Sequence, residues 1–255
     1  MSELVQVRVT AGVMTICLNR PEKKNAITDA MYGAIADGLE RAAADDAIRV
    51  VLFRGEGDSF SAGNDIGDFM QVAMGGGGEG HVFRVLKTLA HFEKPVVAAV
   101  KGSAVGIGTT LLLHCDLVFV AEDARLSTPF VNLALAPEAA STILLPRVVG
   151  HQRAFAMFAL GEVVSGRQAA DWGLANAALP AAQVEEAAAR AAAELAKRAP
   201  RSMRLTKKLM RDGAALWSQM ERENEAFSSQ LTTPEAREAF TAFVERRPPD
   251  FTKVS

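Results

Sequence analysis

Two glycine-rich turns about forty residues apart, and one glutamate after them, hold most of the chemistry this sequence can offer. The first turn, Phe60-Ser61-Ala62-Gly63-Asn64-Asp65, follows the apolar run Val50 to Phe53. The second, Gly102-Ser103-Ala104-Val105-Gly106-Ile107-Gly108, follows Pro95 to Val100. Each reads as a strand that enters a small-residue turn and then a helix. Backbone N–H groups then point outward at a helix N-terminus, where they can bind developing negative charge. Two such turns facing one pocket would make an oxyanion hole, usually the largest single contribution to carbonyl chemistry. On glycine content alone, a pair of ordinary βα turns explains them equally well. The glutamate is Glu138, in Ala136-Pro137-Glu138-Ala139-Ala140-Ser141. By position alone it could simply complement the dipole of a helix start.

The elements that must position these groups follow from periodicity. Val5 to Val9 alternates with period two, and Val13 to Leu18 follows Ala11-Gly12, which predicts a β-hairpin. Asn19 to Ala26 is a polar loop. Thr28 caps a helix to about Ala44, with Met31, Ile35 and Leu39 on one stripe. Val50 to Phe53 is a buried strand, and Gly75 to Gly80 is a glycine run with no packing capacity, read as a mobile loop beside the site. His81 to His91 is a helix, Pro95 to Val100 a strand, Gly108 to His114 helical and Leu117 to Ala121 another strand. After Gly150 strand signals nearly vanish. Helices are expected over His151 to Leu160, Ser165 to Trp172, Val184 to Arg198, Arg201 to Trp217, Ser218 to Gln230 and Pro234 to Glu245, the last with proline at its start. The pattern is an α/β core over residues 1–199 and a helical region over 200–255. Phe227, Leu231, Phe240 and Phe243 in that tail must fold back or pack on a neighbour, and oligomerisation is the favoured reading.

At 255 residues the chain fits one large α/β domain, and 49% hydrophobic residues suffice for a substantial core. A net charge of −2 argues against a nucleic-acid partner, which would require a basic face. Cys17 and Cys115 sit in apolar runs and read as small buried hydrophobes of a reducing compartment. Met1 to Thr10 has neither a charged segment nor a long apolar one, and no run approaches eighteen apolar residues, so a cytoplasmic protein with no membrane partner is expected. Thr252-Lys253-Val254-Ser255 is not a peroxisomal tripeptide.

The stretches LNRPEKKNAI (Leu18 to Ile27), FSAGNDIGDF (Phe60 to Phe69), KPVVAAVKGSAVGIG (Lys94 to Gly108), CDLVFVAEDARLSTPFVNLALAPEAAS (Cys115 to Ser141) and AFTAFVERRPPDF (Ala239 to Phe251) resemble the crotonase superfamily, the enoyl-CoA hydratases and isomerases. The likeness covers almost the whole chain, with the motifs in the expected order. It implies a spiral of ββα turns with a C-terminal helical trimerisation region, binding acyl-CoA thioesters. It places the two oxyanion-hole N–H groups on Asn64 and Ile107. Ile107 stands where glycine is frequent, which is tolerable if its φ stays in an allowed region. It further implies that Ala62, Gly63, Asp65, Ile66, Gly106, Phe130 and Lys24 lie against substrate.

Thr110 and Phe130 occupy the positions of the two glutamates that hydratases of this superfamily use on water, and neither can take a proton. Glu138 matches the single glutamate of the peroxisomal-type Δ3-Δ2-enoyl-CoA isomerases. One carboxylate is enough for a proton shuttle. It takes a proton from C2 of the thioester and returns it at C4, moving a double bond from 3,4 to 2,3. Apolar walls would raise the pKa of this carboxyl and keep water from the dienolate. A hydratase, a thioesterase or a non-catalytic acyl-CoA binder stays open as the alternative.

For the remaining candidates a plain structural role competes. Asn64 and Asp65 could cap a helix. Lys23 and Lys24, and the basic tail Arg246, Arg247 and Lys253, could meet CoA phosphates or simply be solvated. Asp68 and Glu79 are the carboxylates most able to supply a second acid to the pocket. His81, His91, His114 and His151 lack the spacing of a metal site, so no metal and no cofactor beyond the CoA of the substrate is expected. A homotrimer or a dimer of trimers, held by the helices of Ser202 to Val244, is the expected assembly.

Overall fold

The computed structural model describes residues 4–68 and 80–254. Phe69, Glu79 and most of the glycine run Gly75 to Gly80 lie outside the described residues. The hairpin forms as the alternation requires: β1 (Val5–Thr10) and β2 (Val13–Leu18) pair antiparallel, with Val5 opposite Leu18. Ala11 and Gly12 both take positive φ in the connecting turn, the conformation a two-residue hairpin needs. β2 then pairs parallel with β3 (Val50–Gly55), β3 with β4 (Val96–Val100), β4 with β6 (Leu117–Ala121) and β6 with β9 (Ala177–Leu179). The result is a six-stranded sheet in the order β1-β2-β3-β4-β6-β9.

The parallel strands are covered on both faces, which is why β3 and β4 read as continuous apolar runs. On one face lies α1 (Asp29–Ala44), capped by Thr28 Oγ1, which accepts from Met31 N at 3.3 Å. Met31, Ile35 and Leu39 form its buried stripe. Beside it packs α2 (His81–His91). The other face is covered by the alanine-rich helix Ala181–Ala196. Successive strand residues face opposite ways: Ile16 meets Gly38 of α1, whereas Arg54, paired with Cys17, reaches Glu185 of the opposite helix.

A second sheet departs from the expected pattern. β5 (Ser103–Val105), β7 (Arg125–Ser127) and β8 (Val164–Ser165) form three strands in the order β5-β7-β8. β8 and β9 also lie beyond Gly150, where the sequence predicts helices almost alone. All four short strands run two or three residues, too short to carry a period, and pairing with distant partners creates them. The segment expected as one helix, Gly108 to His114, is an α-turn α3 (Ile107–Thr110) followed by a 3-10 turn, Leu111–His114.

Downstream run α4 (Ser141–Val149), α5 (His151–Phe155) with a π-turn over Ala156–Leu160, α6 (Gly166–Asp171) and α7, the Ala181–Ala196 helix. The tail holds α8 (Pro200–Met210), α9 (Gly213–Leu231) and α10 (Pro234–Glu245). The expected helix from Arg201 to Trp217 is therefore broken, and Ser218 to Gln230 belongs to α9. The break falls at Asp212-Gly213: Asp212 Oδ1 accepts from Ala215 N at 3.0 Å, and a Cβ on Gly213 would sit 2.7 Å from Ala90 O.

The tail also folds back on its own chain. Phe227, Leu231 and Phe240, expected as exposed, are buried in a cluster with Phe130, Leu135 and Ala236. Each such burial contributes about 1.5–3 kcal/mol. Phe243 is the exception and stays 56% exposed. Cys17 and Cys115 are free, and burial pushes their thiols up to about 11 and about 12. No described helix is long and apolar enough to cross a membrane.

Candidate active site

The two turns meet backbone to backbone. Gly63 has a φ of +90°, and a Cβ there would lie 2.8 Å from Val105 O. Only glycine lets the chains approach this closely. Ser61 bridges Ala104, and Val105 N donates to Ser61 O at 3.0 Å.

The first turn also bridges Ile27 in parallel fashion. Gly63 O accepts from Ile27 N at 2.8 Å, and Asp65 N donates to Ile27 O at 2.9 Å. Since backbone groups alternate in direction along an extended chain, the Asn64 N–H points to the other side. In the second turn Gly106 takes the positive φ, +55°, so Ile107 begins α3 in an ordinary helical conformation. As the first helical residue it has no intrahelical acceptor for its N–H. Neither N–H donates to another described residue, and both residues line one cavity of about 580 Å³.

Glu138 lines the same cavity. It stands just before Ala139 and Ala140, outside the first turn of α4, so it does not serve that helix dipole as an N1–N3 carboxylate would. It also lines a second cavity of about 180 Å³, walled by Ile27, Val82, Phe83, Leu86, Met220 and Leu231. Asn64, Asp65, Glu138 and Phe227 border both spaces. The carboxyl therefore sits at the junction of the two cavities, the larger lined mainly by apolar residues and the smaller by those apolar side chains together with Asp29, Tyr32, Asp65 and Asp68.

Glu138 is only 9% exposed and its Oε1 has no hydrogen-bond partner among the described residues. Burial, and next the neighbouring Glu223 carboxylate, push its pKa up to about 8, while the Asn64 side chain acts weakly in the opposite direction. The Asn64 Oδ1 in turn accepts from the Tyr32 hydroxyl of α1. Burial, with Glu138 and Asp29 adding to it, raises the Tyr32 pKa and keeps that phenol neutral.

The Glu138 loop is held in an unfavourable backbone shape. Ala139 and Ala140 have φ of +63° and +54°, a cost of about 1–2 kcal/mol for each non-glycine residue. His114 secures one end: its Nε2–H donates to Ala139 O at 2.7 Å, and Arg211 donates to its Nδ1. Burial and the Arg211 charge hold the His114 pKa at about 3, so the ring is neutral. Glu223 of α9 secures the other end, accepting from Thr142 N at 3.0 Å and from the Thr142 hydroxyl. The carboxylate whose charge acts on Glu138 is thus Glu223, which sequence reading missed, and not Asp68. Asp68 lines the smaller cavity and accepts from Asp29 N at 2.8 Å.

The remaining expectations sort cleanly. Ala62, Gly63, Asp65, Ile66, Gly106 and Phe130 all line the larger cavity. Phe130 presents its ring there, packed 6.2 Å from Phe158. Thr110 is fully buried and lines neither cavity. Asp65 does act as a local cap: its Oδ1 accepts from Gly67 N at 2.9 Å, and Arg20 pairs with its other oxygen at 2.6 Å. Burial raises its pKa, but these two contacts outweigh it and hold the carboxyl below the usual range. Lys24 departs from expectation. It is exposed at positive φ in the loop, and its neighbour Lys23 is the lysine at the cavity. Arg247 also reaches the cavity, gripped by Glu238 at 2.5 Å and Glu245 at 2.6 Å. No group of three or more His, Cys, Asp or Glu among the described residues could hold a metal ion.

The family model described as enoyl-CoA hydratase/isomerase matches residues 8–254. The chain is 33% identical to the 1,2-epoxyphenylacetyl-CoA isomerase of Escherichia coli K12, covering 99% of both chains. It is 34% identical to enoyl-CoA delta isomerase 2 of Rattus norvegicus over 97% of its own length and 65% of the rat protein. The solved structure of Pseudomonas aeruginosa OdaA superposes with a TM-score of 0.91 at 48% identity, covering 96% of this chain and all of that one. With its fold and its sequence both matched along nearly its full length, the chain belongs to the enoyl-CoA hydratase/isomerase family of the crotonase superfamily, enzymes that act on acyl-CoA thioesters.

Proposed function

We propose that this protein is an enoyl-CoA isomerase that moves a 3,4 double bond to the 2,3 position, with Glu138 as its single proton shuttle. One observation supports this reading most strongly. Glu138 is a carboxyl at the junction of two cavities, one of which it shares with the Asn64 and Ile107 N–H groups, while by the family resemblance Thr110 and Phe130 stand where a water-adding enzyme needs acids. The ionised carboxyl takes the C2 proton, and charge moves onto the thioester oxygen between the Asn64 and Ile107 N–H groups. The dienolate is then protonated at C4 by the same carboxyl. A pKa of about 8 makes Glu138 a stronger base than an ordinary glutamate and an acid able to return the proton. The apolar side chains of the smaller cavity, Ile27, Val82, Phe83, Leu86, Met220 and Leu231, take the acyl tail and keep water from the intermediate. Lys23 and Arg247 line the larger cavity, where their charges suit the phosphates of the CoA end. The reaction moves only a proton and calls for no metal or redox cofactor.

Hydration is the weaker reading: Thr110 and Phe130 cannot take a proton, Glu223 lines neither cavity, and of the carboxyls that share the smaller cavity with Glu138, Asp65 is paired with Arg20, Asp29 with His81, and Asp68 accepts from the Asp29 backbone. Assembly as a trimer or dimer of trimers is part of the same proposal. Leu205, Leu209, Met210, Phe243 and Val244 stand exposed on α8 and α10, Leu209 and Met210 at 79% and 82%, and invite a neighbour.

The test is conversion of a 3-enoyl-CoA to its conjugated 2-enoyl isomer, followed by ultraviolet absorbance. Wild type should turn over and hydrate crotonyl-CoA weakly or not at all. Glu138→Gln should keep acyl-CoA affinity while kcat falls by on the order of 10²-fold or more. Near wild-type turnover in Glu138→Gln, with Asp68→Asn inactive, would overturn the assignment.

A further inference from the structure

Two buried carboxyls, Glu138 and Glu223, lie close enough to repel. Each has one oxygen, Oε1 of Glu138 and Oε2 of Glu223, without a hydrogen-bond partner among the described residues. Two buried carboxylates that repel cannot both ionise readily, so one proton stays with the pair. What separates them is the supply of donors.

Glu223 has donors and Glu138 is nearly without them. Gln219 Nε2 donates to Thr142 Oγ1 at 2.9 Å, which leaves the Thr142 hydroxyl proton for Glu223. Thr142 N adds a second bond at 3.0 Å, and Ala140 N–H contributes as well. These N–H groups lie at the start of α4, whose N-cap residue Ala140 offers no side-chain acceptor. Glu223 thus caps α4 from another helix, 81 residues away, at the positive end of that helix.

The other groups around Glu138 do not hold its proton. Tyr32 of α1 directs its hydroxyl to Asn64. Of the acids at the first turn, Asp65 is paired with Arg20, and Asp68 accepts from the backbone of Asp29. Asp29 itself is occupied by His81 at 2.6 Å. His114 meets the loop at the Ala139 carbonyl, with Arg211 behind it and Lys207 turned to Asp116 at 2.7 Å.

We infer that Glu223 is a positioning residue for the reaction: anchored to the start of α4 as the charged member of the pair, it keeps the shared proton on Glu138 and so sets the pH at which the shuttle becomes a base. This rests on the isomerase reading for its kinetic consequence, but not for the protonation itself. Burial raises both carboxyls; the donors on Glu223 decide which of them gives up its proton first.

Glu223→Gln separates charge from anchoring, since its amide oxygen still accepts from Thr142. The acid limb of kcat/KM on a 3-enoyl-CoA should lie near pH 8 in wild type and move down by about one pH unit or more in this variant. Thr142→Val, which removes one donor from Glu223, should move it the same way by less. It also serves as the test if Glu223→Gln does not fold. Infrared spectroscopy reads the proton directly. A protonated-carboxyl band at pH 7 should be present in wild type, absent in Glu138→Gln, and titrate at lower pH in both other variants. An unmoved limb and an unmoved band in a folded variant would overturn the inference while leaving the isomerase reading intact. A wild type inactive on 3-enoyl-CoA would overturn that reading, and the band would still decide the inference.

Discussion

The two walls of the site are made of different materials. The wall that carries the outward N–H groups is backbone: two turns, held by neighbouring strands and by glycines at which a side chain would collide. The wall that carries Glu138 is side chain. Its loop runs through two alanines at positive φ and is held by His114 on one side and by Glu223 from the tail on the other. Geometry on the first wall is fixed by what the chain cannot do, and on the second by bonds that individual residues make. The first wall should therefore fail abruptly when altered and the second by degrees.

Gly63→Ala attacks the first wall where it is least forgiving. The new methyl would meet Val105 O at 2.8 Å from a residue at φ +90°, so the two turns must separate. The Asn64 and Ile107 N–H groups, proposed to hold the thioester oxygen together, would then move apart. Misplacing one donor of this kind costs about 10²–10³ in rate. We expect kcat/KM on a 3-enoyl-CoA to fall by about that factor, with a lower melting temperature at every pH. An alanine variant with near wild-type kinetics would show that the backbone wall yields more than its contacts suggest.

The same contrast explains what could be read from the chain. The turns, Glu138 and the neutral Thr110 and Phe130 are local patterns, each contained within a few residues, and all but Thr110 reach the cavities. The helices His81–His91 and Pro234–Glu245 were equally legible, being periodic and well bounded. Tyr32, His114, Thr142 and Glu223 were not, because nothing beside them in sequence marks them. Glu223 reads as one acid among several in a charged helix until α9 lies across the start of α4. The second sheet was hidden for the same reason, its strands existing only through long-range pairing. The helix break at Asp212-Gly213 did leave a turn signal, which the helical pattern around it obscured.

Glu138→Gln tests the second wall as a matter of stability. A carboxyl raised from 4.5 to about 8 in the folded protein binds a proton more tightly there than when unfolded. It favours the folded state below pH 4.5, and that contribution is lost as the pH climbs through 8. Glutamine never acquires the charge. The variant should match wild type in melting temperature at pH 5 and exceed it at pH 9. The gain in stability at pH 9 should be a few kcal/mol, since each tenfold difference in proton affinity between folded and unfolded chains is worth about 1.4 kcal/mol. Equal stabilities at pH 9 would mean that the Glu138 carboxylate is solvated in the folded protein, contrary to its burial.

The smallest effect should come from His114, which touches the reaction only through the loop it holds. Its neutral ring donates to Ala139 O and accepts from Arg211. Glutamine can reach the same carbonyl with its amide but lacks the rigid ring that fits between the two partners. His114→Gln should leave Ala139 and Ala140 in place for most of the time while loosening the carboxyl by a fraction of an ångström. Such a shift penalises the proton transfer more than substrate binding, because binding rests on the backbone wall. We expect kcat to fall by about tenfold, equivalent to about 1.4 kcal/mol, with KM nearly unchanged. His114→Leu, which removes the donor and leaves the buried Arg211 facing an apolar group, should also lower the melting temperature. If His114→Gln instead raised KM and spared kcat, His114 would be shaping the cavity rather than aiming Glu138, and the two walls would be less distinct than their construction implies.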